Sequence, residues 1–204
     1  MLFRSALLTA ATEHITQVVA SVPFIWVMPL ALYLITFIIA FRGWASSGVV
    51  PTITLALAVA AFSLLGFSYE VVTRQMVVYV AYFFFAALFC HAALFAQRPP
   101  KEHSSLFYVC IACGGMLGTL LVSIIAPLIF SDIFEFPLGI LTVMGAVIAF
   151  FPAMRYIRDE YERSVTIMRF LGLAIVLIVG VHYFHQANDT HLIRSRNFYG
   201  ITKI

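Results

Sequence analysis

Apolar runs of membrane-crossing length alternate with short polar segments along most of the chain. A helix needs about 20 mainly apolar residues to cross about 30 Å of hydrocarbon. Runs that meet or approach this length predict about six transmembrane helices, at residues 18–41, 49–69, 75–97, 106–130, 136–154 and 165–184. The predicted fold is therefore all-α, a polytopic transmembrane helix bundle over residues 18–184.

The segments between these runs contain residues that end helices. Residues 42–48 are rich in Gly and Ser, and residues 155–163 form the most polar stretch of the chain. Pro99 and Pro100 interrupt the connector at 98–105, where each proline removes a backbone donor and restricts the residue before it. These segments are therefore predicted to be loops between the helices.

Both ends of the chain differ from this pattern. Residues 1–17 permit a helix but are too short to span a membrane and lack the layout of a signal peptide, so we expect a truncated or interfacial helix. Residues 1–5 also match the translation of a sequencing-adapter end, and our hypothesis is that they are an artefact. Residues 185–204 end in β-branched and aromatic residues with partial alternation, which predicts a short β-strand remnant, the start of a missing soluble domain.

Composition strengthens the membrane interpretation. Hydrophobic residues make up 63% of the chain, charged residues 10%, and the mean hydropathy is +1.02, whereas soluble domains are about 45–50% apolar and about 25% charged. A soluble fold of this size could not bury so much apolar surface, so we expect the lipid bilayer to be the principal partner. The expected location is the bacterial inner (cytoplasmic) membrane, with multiple passes.

The distribution of Lys and Arg predicts an orientation. The net charge of +3 comes from residues that lie mainly between the apolar runs, which is typical of topology signals and not of a nucleic-acid-binding surface. Residues 42–48, 98–105 and 155–163, with Arg169 at the start of the following run, carry most of these charges. The positive-inside rule therefore places those connectors in the cytoplasm and, with six spans, both termini outside.

The sequence contains no complete catalytic, cofactor-binding or metal-binding motif, since nucleotide loops, nucleophile elbows and zinc-protease motifs are absent. Cys110 and Cys113 form a CxxC pair without a second pair of ligands, and His182 and His185 lie three residues apart without further ligands. We therefore predict no catalytic residue, no cofactor and no metal ion for this chain.

Polar side chains inside or next to apolar runs are the remaining candidates, because burying them in lipid is costly. Glu13, His14 and His91 could form an intramembrane polar site. The alternatives are an interfacial helix end for Glu13 and His14, and a packing role for His91. Gly114 and Gly118 form a GxxxG pattern, which predicts close helix packing; a moving transporter helix is the functional alternative.

Several aromatic and proline-containing strings resemble one family. Residues 21–37, 107–118, 126–130 and 134–138 are similar to the membrane region of bacterial fused major-facilitator-like/spermidine-synthase-like proteins, and residues 195–204 resemble the opening strand of their synthase-like domain. The family tends to carry Cys-His-Gly-Glu where this chain has Cys90-His91-Ala92-Ala93, so a role that depends on that carboxylate does not transfer.

The resemblance implies an integral membrane domain that anchors, and in one version transports, with polyamine (aminopropyltransferase-like) chemistry in a C-terminal domain beyond Ile204. This chain would then carry no catalytic site of its own. The alternatives are a small transporter or permease half, with Glu13, His14 and His91 lining a path, and a purely structural anchor. A cytoplasmic synthase-like domain conflicts with the charge distribution, which places the tail outside.

Overall fold

The computed structural model describes residues 2–19, 23–43, 49–65, 72–130, 134–154, 162–189, 194–197 and 200–203. These residues are almost entirely helical. The helices are α1 (Leu2–Val19), α2 (Pro23–Phe41), α3 (Val49–Leu64), α4 (Val72–Ala96), α5 (Ser104–Leu120), α6 (Ala126–Ile129), α7 (Glu135–Met154) and α8 (Glu162–Asp189). A 3₁₀ turn (Lys101–His103) precedes α5, and one π-helical segment (Leu121–Ile125) joins α5 to α6.

The helix boundaries refine the predicted runs. The run at 18–41 is divided, because α1 ends at Val19 and α2 begins at Pro23, a position where the missing N–H of proline is harmless. Pro29 lies inside α2 and is buried. The loop at 155–161 lies outside the described residues.

The C-terminal residues form a hairpin. Strands β1 (Arg194–Asn197) and β2 (Gly200–Lys203) pair antiparallel, with Arg194 opposite Lys203. A two-stranded hairpin is marginal on its own in water.

Contacts between side chains fix the relative directions of the helices. Thr36 contacts His91, and Phe41 contacts Phe95, so α2 and α4 run parallel. Tyr82 and Phe136, near the start of α7, also pack together. The ends of α2 and α4, followed by Arg42 and Arg98, therefore lie at one face of the bundle, and α7 begins near the opposite face.

Helices α7 and α8 run antiparallel and pack through glycines on both. A Cβ atom on Gly172 would lie 3.1 Å from Ile148, and one on Gly180 would lie 3.0 Å from Leu141. Each glycine therefore lets a branched side chain of α7 approach the backbone of α8 closely.

Helix α1 lies in the middle of the bundle, in contact with α2, α4, α5 and α7. Its side chains Leu7, Ala10 and Ala11 are at most 2% exposed. The first half of α1 is thus packed into the bundle.

Aromatic side chains fill the space between α4 and α7. Tyr82, Phe83 and Phe136 are at most 1% exposed, and the Phe136 ring meets the Tyr79 ring edge to face at 5.3 Å. Such arrangements are the favoured geometry for aromatic pairs. The Tyr82 hydroxyl also donates to the carbonyl of Gly139 at 3.5 Å, which ties α4 to α7.

One stripe of small residues on α5 and its continuation faces the bundle. Gly114, Gly118, Val122 and Ala126 are buried at four-residue intervals, and α1 is the main helix that α5 contacts. The structure thus places the GxxxG pair at a helix-packing interface.

The outer surface of the bundle is apolar. The most exposed large side chains include Leu128 at 81%, Phe170 at 70% and Leu177 at 68%. Two helical stretches, Gln75–Ala96 and Ser104–Ile129, are long and apolar enough to cross a membrane, judged by length and composition. Four further apolar helical stretches are shorter, at Val27–Phe41, Val49–Leu64, Glu135–Ala149 and Phe170–Tyr183.

Candidate functional site

His91 is the buried centre of a polar contact between α2 and α4. Its ring is 0% exposed, and Nδ1 lies 3.1 Å from the Thr36 hydroxyl oxygen. The rings of Tyr33 and Phe37 meet the imidazole edge to face, with centroid distances of 4.6 and 5.3 Å. The imidazole is therefore enclosed by one face of α2.

Helical spacing explains why these three α2 residues converge on one side chain. Positions three and four apart lie on the same face of a helix, and Tyr33, Thr36 and Phe37 have this spacing. Because α2 and α4 run parallel, this face meets α4 at the level of His91. Of these three residues, Thr36 supplies the hydroxyl that lies within hydrogen-bonding distance of His91.

The hydrogen bonds around Thr36 assign the ring tautomer. The Thr36 hydroxyl donates to the carbonyl oxygen of Tyr33 at 2.8 Å, and a hydroxyl has only one hydrogen. A carbonyl oxygen cannot donate, so the proton between Thr36 and His91 belongs to the imidazole. Nδ1–H of His91 therefore donates to the Thr36 oxygen, and in the neutral ring Nε2 is left as an acceptor.

This Nε2 atom is buried and has no hydrogen-bond partner among the residues that the structure describes. A buried acceptor without a partner costs about 1–3 kcal/mol of desolvation. Such atoms are uncommon in folded proteins, so this acceptor marks His91 as a candidate binding residue.

Arg4 on α1 approaches the same place, although the sequence alone does not indicate it and it lies within residues 1–5, for which the artefact hypothesis stays untested. It is 5% exposed, and its guanidinium carbon lies 6.0 Å from the centre of the Tyr33 ring. Its charge acts electrostatically on His91 and on Cys90, and its Nε atom has no hydrogen-bond partner among the described residues. Only the packing of α1 against α2 and α4 reveals this proximity.

The other two predicted members of the polar site lie elsewhere along α1. Glu13 is half-buried and follows Arg4 by nine residues, which is about 14 Å along the helix axis. The structure therefore brings Arg4, and not Glu13, to the level of His91. The side chain of His14 lies outside the described residues.

A second feature is a cleft of about 280 Å³ between α1, the π-helical segment, α6 and α7. Its lining is mostly apolar, and the polar exceptions are Glu135, which is buried, and Thr142, which is exposed. Glu135 lies in the first turn of α7, where a carboxylate is stabilised by the helix dipole. The sequence alone gives no signal for Glu135, because an acidic residue at the start of a helix is common.

The cysteine and histidine pairs do not assemble into a metal site within the described part of the chain. Cys110, Cys113, His182 and His185 are exposed. Over those same residues, no three His, Cys, Asp or Glu side chains lie close enough to hold a metal ion.

Searches of protein-family models, curated proteins and solved structures find no match to this chain. Among the described residues, the site contains a hydrogen-bond acceptor and a cation in an apolar enclosure, an arrangement suited to binding or packing.

Proposed function

We propose that this chain is a multi-pass integral membrane domain whose helices cross the bacterial inner membrane about six times. The observation that carries this proposal is the apolar outer surface. Large exposed side chains occur on α2, α3, α4, α5, α6 and α8, and soluble monomers rarely expose contiguous apolar patches of more than a few hundred Å².

The positions of charged side chains support the same proposal. Among the side chains whose placement is described, the exposed charges are Arg42, Arg98 and Glu102, and all three lie in the connectors at helix ends. Such a separation of charged ends from an apolar middle is what a bilayer requires.

The proposed role is to anchor a synthase-like soluble domain, with any aminopropyltransferase-like chemistry outside this chain. Support comes from the resemblance of residues 21–37 and 195–204 to the fusion family and from the hairpin that follows α8. Contacts between Phe62 and Tyr183, near the C-terminal ends of α3 and α8, put the end of α8 at the face opposite Arg42. The positive-inside rule then favours an external hairpin.

Polyamine transport is the second candidate, favoured by the buried polar residue His91 inside the bundle, whereas the positive charge of Arg4 beside it opposes a cationic substrate. Intramembrane polar residues often mark substrate paths. Uptake of labelled polyamine into vesicles tests it. Loss of uptake in His91→Asn supports transport, and an absence of uptake in the wild type leaves the anchoring role.

Alkaline carbonate extraction tests the membrane proposal itself. The full chain should stay in the membrane pellet, because its outer surface has no favourable contact with water. Release into the supernatant would contradict the proposal. A reporter fused after Gly43 should be active in the cytoplasm, and one fused after Ile204 should be active outside.

A further inference from the structure

Among the residues that the structure describes, none forms a hydrogen bond with the Nε2 atom of His91, and this atom points to a ligand. We propose that it accepts a hydrogen bond from a small neutral hydroxyl compound, water being the smallest, held where α1, α2 and α4 meet. This site is independent of any soluble partner domain and goes beyond the anchoring role.

The first step is the direction of the hydrogen bonds. Thr36 donates to Tyr33 at 2.8 Å, so Nδ1–H of His91 donates to Thr36 at 3.1 Å. The neutral ring then offers a lone pair at Nε2, and the missing partner must be a donor. Chloride and ionised carboxylates have no hydrogen to donate, so simple anions do not fit.

The positive charge of Arg4 limits which donors can bind here. Arg4 contacts the Tyr33 ring from α1, and its charge acts on His91. A positive charge in this buried setting opposes a second cation, which disfavours ammonium donors. A neutral O–H group satisfies both conditions.

The third step is size. His91 is 0% exposed, and the Tyr33 and Phe37 rings lie within 4.6 and 5.3 Å of the imidazole centroid. The ligand therefore has few heavy atoms, on the scale of water or a short alcohol. Buried waters typically serve polar groups that the protein leaves unsatisfied.

Nitrogen NMR of the full chain in lipid nanodiscs, with ¹⁵N-labelled histidine, tests the site. The signal of His91, one of six histidines, is the one lost in His91→Phe. We expect a neutral ring that is protonated at Nδ1. In H₂O, magnetisation should transfer to Nε2 from water protons if the ligand is water. In D₂O with ethylene glycol, it should transfer from the methylene protons if the ligand is an organic hydroxyl compound. The first transfer identifies water and the second an organic hydroxyl.

Three variants complete the test. Thr36→Ser should keep both the tautomer and the transfer, whereas Thr36→Val should lose the fixed tautomer. Arg4→Leu should keep the transfer, because Nε2 is the acceptor. A ring protonated at Nε2, a doubly protonated ring, an absence of both transfers in the wild type, or loss of transfer in Arg4→Leu would overturn the proposal.

Discussion

Two helical stretches of almost equal hydropathy occupy opposite environments in this molecule. Gln75–Ala96 has a mean hydropathy of 2.1 and is 50% buried, whereas Ser104–Ile129 has a mean hydropathy of 2.3 and is only 22% buried. Hydrophobicity therefore does not tell the inside of this bundle from its outside. The difference lies in packing, since the first stretch meets three or more helices and the second mainly meets α1.

The comparison separates two physical roles of an apolar residue. On α4 and α7 an apolar side chain fills a defined space against neighbours, and its loss leaves a void. On the outer face of α5, α6 and α8 the same residue type meets the surrounding solvent, which in our account is lipid. Substitutions chosen from the two regions should therefore behave differently.

The largest effect is expected from removing a core aromatic ring. Phe136→Ala deletes a 0% exposed side chain that packs on Tyr79 and Tyr82, and a void of this kind should cost about 3–5 kcal/mol of unfolding free energy. Leu128→Ala, at an 81% exposed position, is the matched control and should change little. Unfolding in mixed micelles measures both, and equal losses would remove the distinction between the regions.

A charge on the outer face is expected to have the next largest effect. Ile178 on α8 is 64% exposed, and Ile178→Arg should reduce membrane insertion by about 2.5–3.5 kcal/mol near the helix centre. Glycosylation-based insertion assays give this value. In a soluble protein the same exposed substitution would be nearly neutral, so an unchanged insertion equilibrium would count against a lipid-facing surface.

The free energy of unfolding should depend on the Thr36 hydroxyl, which joins α2 to α4. Thr36→Val removes the acceptor of the His91 Nδ1–H, and we expect a loss of about 1–2 kcal/mol. Thr36→Ser keeps the oxygen and should lose less. Val is close to Thr in size but lacks the hydroxyl, whereas Ser keeps the hydroxyl and lacks the methyl group of a buried side chain. Thermal unfolding in detergent therefore separates the hydrogen bond from the methyl contact, and a Thr36→Val protein as stable as the wild type would show that the hydrogen bond contributes nothing.

The smallest effects are expected at the glycines between α7 and α8. A Cβ atom on Gly145 would lie 3.6 Å from Leu173, whereas one on Gly180 would lie 3.0 Å from Leu141. Gly145→Ala should be neutral or stabilising by up to about 1 kcal/mol, and Gly180→Ala should destabilise by about 1 kcal/mol because Leu141 must shift. The opposite order of melting temperatures would show that α8 packs differently.

Sequence predicted the helices well because the apolar runs and the proline-rich connectors are local features. The sequence-predicted run at 49–69 corresponds to α3 at Val49–Leu64, and the run at 75–97 corresponds to α4. The central place of α1 was not predictable, since its composition suits an interface as well as a core. Its burial follows from the small residues opposite it on α5, which is tertiary information.

The candidate site was predictable only in part. His91 stood out as a titratable residue in an apolar run, but Thr36 and Arg4 did not, because their proximity depends on the parallel packing of α2 and α4 and on the insertion of α1. Glu13 is also a titratable residue next to an apolar run. It lies about 14 Å from Arg4 along α1 and is therefore not at the level of His91.

The most direct test of a lipid-facing surface uses the native cysteines. Cys110 and Cys113 are exposed on α5, about 9 and 14 Å from its start at Ser104. In inside-out membrane vesicles, which expose the cytoplasmic face, a membrane-impermeant maleimide should leave both unmodified, although it should modify His103→Cys at the end of the helix, and all thiols after denaturation in SDS. Rapid modification of Cys110 and Cys113 in the folded protein would show that this surface meets water and would contradict the membrane account.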